Sequence, residues 1–145
     1  MSTTTRSATP RSTPATTAPH RARAAAGWLL TALFSAFMLF DGIMHVAVPE
    51  PVAEATERLG FAVGASVVMG VVQLACLALH LFRPTAVLGA VLLTGYLGGA
   101  VTAHLRVEDP LFSAVLFPVY VGTLMWAGLW LREPALRVVL PLRGR

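Results

Sequence analysis

As a string of apolar and polar positions, the chain begins with residues 1–26, which show no periodicity, and then repeats one pattern four times. Apolar runs occupy Gly27 to Val48, Phe61 to Phe82, Thr85 to Leu105 and Leu111 to Leu131. Each is close to the ~20 residues a helix needs to cross the hydrocarbon core of a bilayer. The breaks are short: "VPEPVAEATERLG", "RPT" and "RVEDP". Links of that length force neighbouring helices antiparallel, which predicts an all-α integral membrane protein, a four-helix up-and-down bundle over residues 27–131. Within the first break, Ala53 to Leu59 reads as a short interfacial helix.

The flanks differ from the spans. Residues 1–26 are rich in Ser, Thr, Pro and Ala, carry four Arg and no acid, and read as a disordered tail. A cleaved secretory signal has an apolar region of only about 7 to 15 residues, so the longer first run is expected to stay as an uncleaved span. Residues 132–145 read as a basic C-terminal segment. Two small-residue patterns suggest close helix packing, inside the bundle or between protomers. They are Gly95, Gly99 and Ala103 on the third span, and Gly60 with Gly64 at the start of the second. Pro118 is expected to kink the fourth span.

Composition agrees with the pattern. Apolar residues make up 56% of the chain and charged residues 12%, against about 25% charged in a soluble globule. All basic residues are Arg, and the net charge is +4. These arginines sit at the ends of apolar runs and form no stripe interleaved with exposed aromatics, so nucleic acid is not an expected partner; the bilayer is. Arg6, Arg11, Arg21, Arg23, Arg83, Arg132, Arg137, Arg143 and Arg145 fall on one side, and Arg58 and Arg106 on the other. By the positive-inside rule both termini are expected in the cytoplasm. Trp28, Trp126 and Trp130 then read as anchors at the cytoplasmic interface.

Asp41 and His45 stand out in this setting, one helical turn apart on a common face of the first span. A rise of about 1.5 Å per residue puts His45 near the outer interface and Asp41 roughly 10 Å further in. His104 closes the third span on that outer side, followed by a rim of Arg106, Glu108 and Asp109. An ionised Asp near mid-bilayer costs about 2.5 to 3.5 kcal/mol on insertion scales, so Asp41 is expected to face the bundle and find a partner there. Asp41, His45 and His104 are therefore the principal candidates for a proton-active or ligand-binding pocket, with Gln73 and Tyr96 as weaker ones. The other reading is structural: Asp41, Gln73 and Tyr96 hydrogen-bond across helices, and the histidines sit at a wet interface. Thr102 and Tyr120 are expected to act as such glue, and His80 to snorkel to the cytoplasmic interface. The histidines show no HxxxH spacing and Cys76 is the lone cysteine, so neither a metal site nor a dithiol couple is expected. No phosphate loop or nucleophilic triad is legible, and no catalytic residue can be named.

The third and fourth spans carry a more specific signal. "RPTAVLGAVLLTGYLGGAVTAHLRVEDPLFSAVLFPVYVGTLMWAGLWLRE" resembles the second half of DoxX-like membrane proteins, with an Arg/Pro start, a GYLGGAV run, a His/Arg end and a PLF...LFP link. "LFDGIMHVAVPEPVAEATERLGF" is similar to their first half, and the resemblance runs from about Leu29 to Arg143. It implies a four-helix bacterial inner-membrane bundle. Because the family takes its name from a subunit associated with thiosulfate:quinone oxidoreduction, it also implies a quinone-like ligand or a membrane redox partner. Two positions depart from the family pattern: His45 stands where a Lys is frequent, and Ala114 where a His is expected. Beside this reading stands a small proton-coupled exporter acting as a homo-oligomer, which a membrane carboxylate on the first helix also suits.

Overall fold

The computed structural model describes residues 18–139, all of whose regular structure is helical. The long helices are α1 (Ala18–Ala47), α3 (Gly64–Leu81), α4 (Ala86–Arg106) and α5 (Phe117–Arg132); α2 (Glu50–Arg58) and α6 (Pro134–Val139) are short. Among the described residues, four stretches are long and apolar enough to cross a membrane: Arg21–Ala47, Gly64–Leu81, Arg83–Arg106 and Leu111–Arg132. α1 packs on α3 and α5, and α4 packs on the same two, so the ring order is α1, α3, α4, α5.

The distribution of polarity identifies the solvent. Leu29, Leu33, Phe40, Val68 and Phe112 are 69%, 59%, 63%, 63% and 74% exposed on the outside. Thr31, Ser66, Gln73 and His80 are buried at 2% or less among Phe34, Met38, Leu93 and Met125. An apolar exterior around a partly polar interior is what lipid demands, since unpaired polar groups cannot face hydrocarbon. This is a membrane protein.

Glycine sets the close approach at three seams, Gly27 with Gly128 between α1 and α5 and two more on α3. A Cβ on Gly70 of α3 would lie 2.7 Å from the Gly42 carbonyl oxygen and 2.9 Å from His45 Cβ, so α1 and α3 cross backbone to backbone there. A Cβ on Gly89 of α4 would strike the backbone of His80, drawing α4 against the end of α3. The stripe expected to pack, Gly95 and Gly99, has nothing within reach of an added Cβ and faces out of the bundle. Its spacing is right for close approach, but its face of α4 is turned away from both neighbours.

Three boundaries differ from expectation. α1 begins at Ala18, so residues 18–26 are helical rather than part of a disordered tail; their Ala and Arg are strong helix formers, and the Arg23 guanidinium lies over the Trp130 ring at 5.7 Å. Residues 1–17, with Arg6 and Arg11, lie outside the described residues, as do Arg143 and Arg145. The basic C-terminal segment contains α6, which returns Leu136, 7% exposed, to the core. The fourth span is broken rather than kinked. Leu111–Val115 form a π-helical turn, and α5 restarts at Phe117 with Pro118 in its first turn, where the missing N–H costs nothing.

Candidate functional site

The link between α1 and α3 shapes one end of the bundle. α2 spans Glu50–Arg58, more than the expected Ala53 to Leu59, because Pro49 and Pro51 suit a helix N-terminus. It stops at Gly60, whose φ of +79° is the left-handed conformation glycine tolerates. Gly60 N–H donates to Glu57 O and Phe61 N–H to Thr56 O, which satisfies the last carbonyls. Arg106 adds a donor from the end of α4: its guanidinium bonds Leu59 O and stacks over Phe61, 5.5 Å from the ring centre. Arg106 of the expected rim therefore caps α2, with its charge placed favourably against the helix dipole.

Asp109 ties the same end together. Its carboxylate accepts from Arg58 Nη1 at 2.5 Å and from His104 Nδ1 at 2.6 Å, joining α2 to α4. The hydrogen bond from Arg58, followed by that from His104, holds the Asp109 carboxyl below its ordinary range, and the same contact raises Arg58. Glu108, the third rim residue, is exposed at a φ of +57° and serves only to turn the chain.

Behind this clasp lies a cavity of about 140 Å³ between α1, α4 and α5. Asp41 and His45 line it from α1, Tyr96 and His104 from α4, and Phe37, Leu97, Phe117 and Pro118 supply apolar walls. Four of the five candidate pocket residues thus share one cavity, although sequence separates them by up to 63 positions (104 − 41). Gln73, the fifth, stands behind it, fully buried on α3; its Nε2 donates to Asp41 Oδ2 and to Met38 O, both at 2.9 Å. That carbonyl fixes which way the amide points, and Gln73 Oε1 has no partner among the described residues.

Ser66 decides the state of His45. The Ser66 hydroxyl donates to His45 O at 2.9 Å, so it accepts from His45 Nδ1–H, also at 2.9 Å. His45 Nε2 then faces Asp41 Oδ2 at 3.9 Å, too far for a direct hydrogen bond. His104 spends Nδ1 on Asp109, which leaves its Nε2 uncommitted to the clasp. The cavity is therefore a small space of mixed polar and apolar lining, bordered by a carboxylate, two imidazoles and a phenol. Ser66 went unnoticed in sequence, yet a signal exists: Ser66, Gln73 and His80 recur every seven residues, the one buried polar line along α3.

The remaining candidates lie elsewhere. His80 does not snorkel. It is fully buried against the edge of Phe34, donating Nδ1–H to Ala86 O at 3.1 Å, because the Gly89 contact pulls the start of α4 over it. Its Nε2 has no partner among the described residues. Tyr120 is exposed, and Thr102 bonds Gly98 O in its own helix rather than a neighbour. Trp28 and Trp130 each carry an arginine from the other helix, Arg132 and Arg23, across the α1/α5 seam. Among the described residues no three His, Cys, Asp or Glu side chains gather as metal ligands, and Cys76 is free and buried.

A four-span membrane bundle with a titratable cavity at one end is the class this chain defines. Residues 29–128 match the DoxX-like family, and the chain belongs to that family. No curated protein and no solved structure matches it.

Proposed function

We propose that the cavity binds a small, ring-sized molecule that is mostly apolar but carries hydrogen-bonding oxygens, a quinone-like headgroup being the chemistry that suits it. The observation that carries this reading is the convergence of Asp41, His45, Tyr96 and His104 on one space with aromatic and aliphatic walls. Its volume suits a single ring, since about 150 Å³ is enough to take up benzene, and its mixed lining suits a ring that carries polar atoms. Phe37, Leu97 and Phe117 would hold the ring faces, and the imidazoles and Tyr96 would meet its oxygens. A quinone, when bound, accepts electrons and protons; Asp41 and His45 would hold a proton beside it, whether the chain works alone or supports a membrane redox partner. The arginines at the end where α1 starts and α5 finishes favour a cytoplasmic position for that end, with the cavity at the outer face, and membership of the DoxX-like family favours the inner membrane.

The test is to purify the full chain in detergent and titrate a short-chain quinone against intrinsic fluorescence. Saturable binding should weaken at least tenfold in Ala100→Leu, which fills the cavity, and in Asp41→Asn. Equal binding by all three proteins would refute the reading. The proton-coupled exporter remains the second reading, favoured by the Asp41–His45 pair inside the bundle. It requires that Asp41→Asn abolish pH-driven substrate uptake into vesicles.

A further inference from the structure

A second and larger space opens between α4 and α5, a groove of about 770 Å³ on the outside of the bundle. Gly98 and Gly122 open it, since neither has a side chain to fill it, and Thr94 and Trp126 form its floor. Trp126 Nε1–H donates to Thr94 Oγ1 at 2.9 Å, so the indole nitrogen is already paired and its ring serves as an apolar wall. The lining runs along α5 from Pro118 to Leu131, about 20 Å at helical rise. That is more than half the thickness of a bilayer core, the reach of one acyl chain from the interface past the midplane.

Charge is unequal at the groove's two ends. Its mouth at the end where α1 starts is formed by Trp130 and Leu136. The Arg23 guanidinium lies over Trp130, and Arg137 follows Leu136 with its Nε shielded and, among the described residues, unbonded. Among the described residues this end collects Arg21, Arg23, Arg83, Arg132 and Arg137 against Glu133 alone. We propose that the groove holds an acyl chain of an anionic phospholipid, with the lipid phosphate between Arg23 and Arg137. An apolar slot whose end is rich in guanidiniums fits that amphiphile, and fits a zwitterionic lipid less well. The site is separate from the Asp41 cavity, with which it shares only the walls Leu97 and Pro118.

Native mass spectrometry of the full chain released from detergent tests this, with phosphatidylglycerol and phosphatidylcholine supplied in equal amounts. A single retained lipid should be phosphatidylglycerol by about fivefold per contributing arginine. Arg23→Gln with Arg137→Gln should erase the preference while a lipid is still held, and Gly122→Phe should remove the lipid. In the unaltered chain, a diazirine at the end of a phosphatidylglycerol tail should crosslink within Thr94–Val101 and Pro118–Leu131, which needs no variant to fold. Equal retention of the two lipids, or crosslinks spread over all four helices, would overturn the proposal. So would conversion of a dimer to a monomer by Gly122→Phe, which would give the groove to a second copy. Loss of the lipid in Asp41→Asn would give it to the ligand of the cavity and equally end the idea.

Discussion

At the end that carries α2, His45 and His104 are each held by Nδ1, to Ser66 and to Asp109, and line a cavity. At the opposite end His80, on the last turn of α3, is held the same way by Nδ1 to Ala86 O but is sealed on all sides. The residue type and the first contact are alike, and the neighbours decide the outcome. Gly89 lets α4 close over His80, whereas Tyr96, Ala100 and the restart of α5 at Phe117 leave space beside His104. An imidazole comes to border a cavity here by imperfect packing on one side, with its other nitrogen anchored.

The largest expected effect is on the seams that create this contrast. Gly70→Val drives a side chain into the Gly42 carbonyl, and overpacking of that kind costs about 1–3 kcal/mol. It should lower the detergent melting temperature sharply, while Gly99→Val on the open face of the same bundle leaves it unchanged. Equal losses at both positions would contradict the seam assignment.

Exchange of the buried polar groups should be smaller and unequal. Gln73→Leu strips a donor from both Asp41 and the Met38 carbonyl, and leaving such groups unpaired costs about 1–3 kcal/mol. His80→Leu removes an unpartnered nitrogen along with one hydrogen bond, so its cost should stay within about 1 kcal/mol. Chemical denaturation in mixed micelles ranks the two; the reverse order would remove the distinction between the ends.

The smallest effect is on the clasp. Because the Asp109 carboxyl is held below its ordinary value of 3.8, the folded state gains from its ionisation above that pH and loses the gain only as pH falls further. The link from α2 to α4 should therefore persist through mildly acidic solution. Arg58→Gln removes the first cause of the shift and should move the carboxyl back up toward 3.8, read by carbon-13 NMR of the labelled aspartates. An unchanged titration in that variant would show that the Arg58 contact does not form.

Much of the site was legible. Asp41 and His45 declared themselves by a one-turn spacing inside an apolar run, and His104 by its place at the same end of an antiparallel neighbour. Gln73 and Tyr96 could be named but not ranked, because a polar residue in mid-span looks the same whether it lines a cavity or, like Gln73, stands behind it holding a carboxylate. The rim misled in part. Arg106, Glu108 and Asp109 form one charged cluster in sequence, yet one caps a helix, one turns the chain and one ties His104 to Arg58.

By itself the sequence determined the solvent, the number of spans and their alternation, because hydrophobic length and short links leave a chain in lipid no other arrangement. Only the tertiary structure decided which small residues are contacts and which are surface, and which histidine is sealed and which borders a space. Those outcomes depend on the rotation of each helix about its axis. Where every face of a span is apolar, periodicity does not encode that rotation, and backbone contact between specific pairs such as Gly42 and Gly70 does.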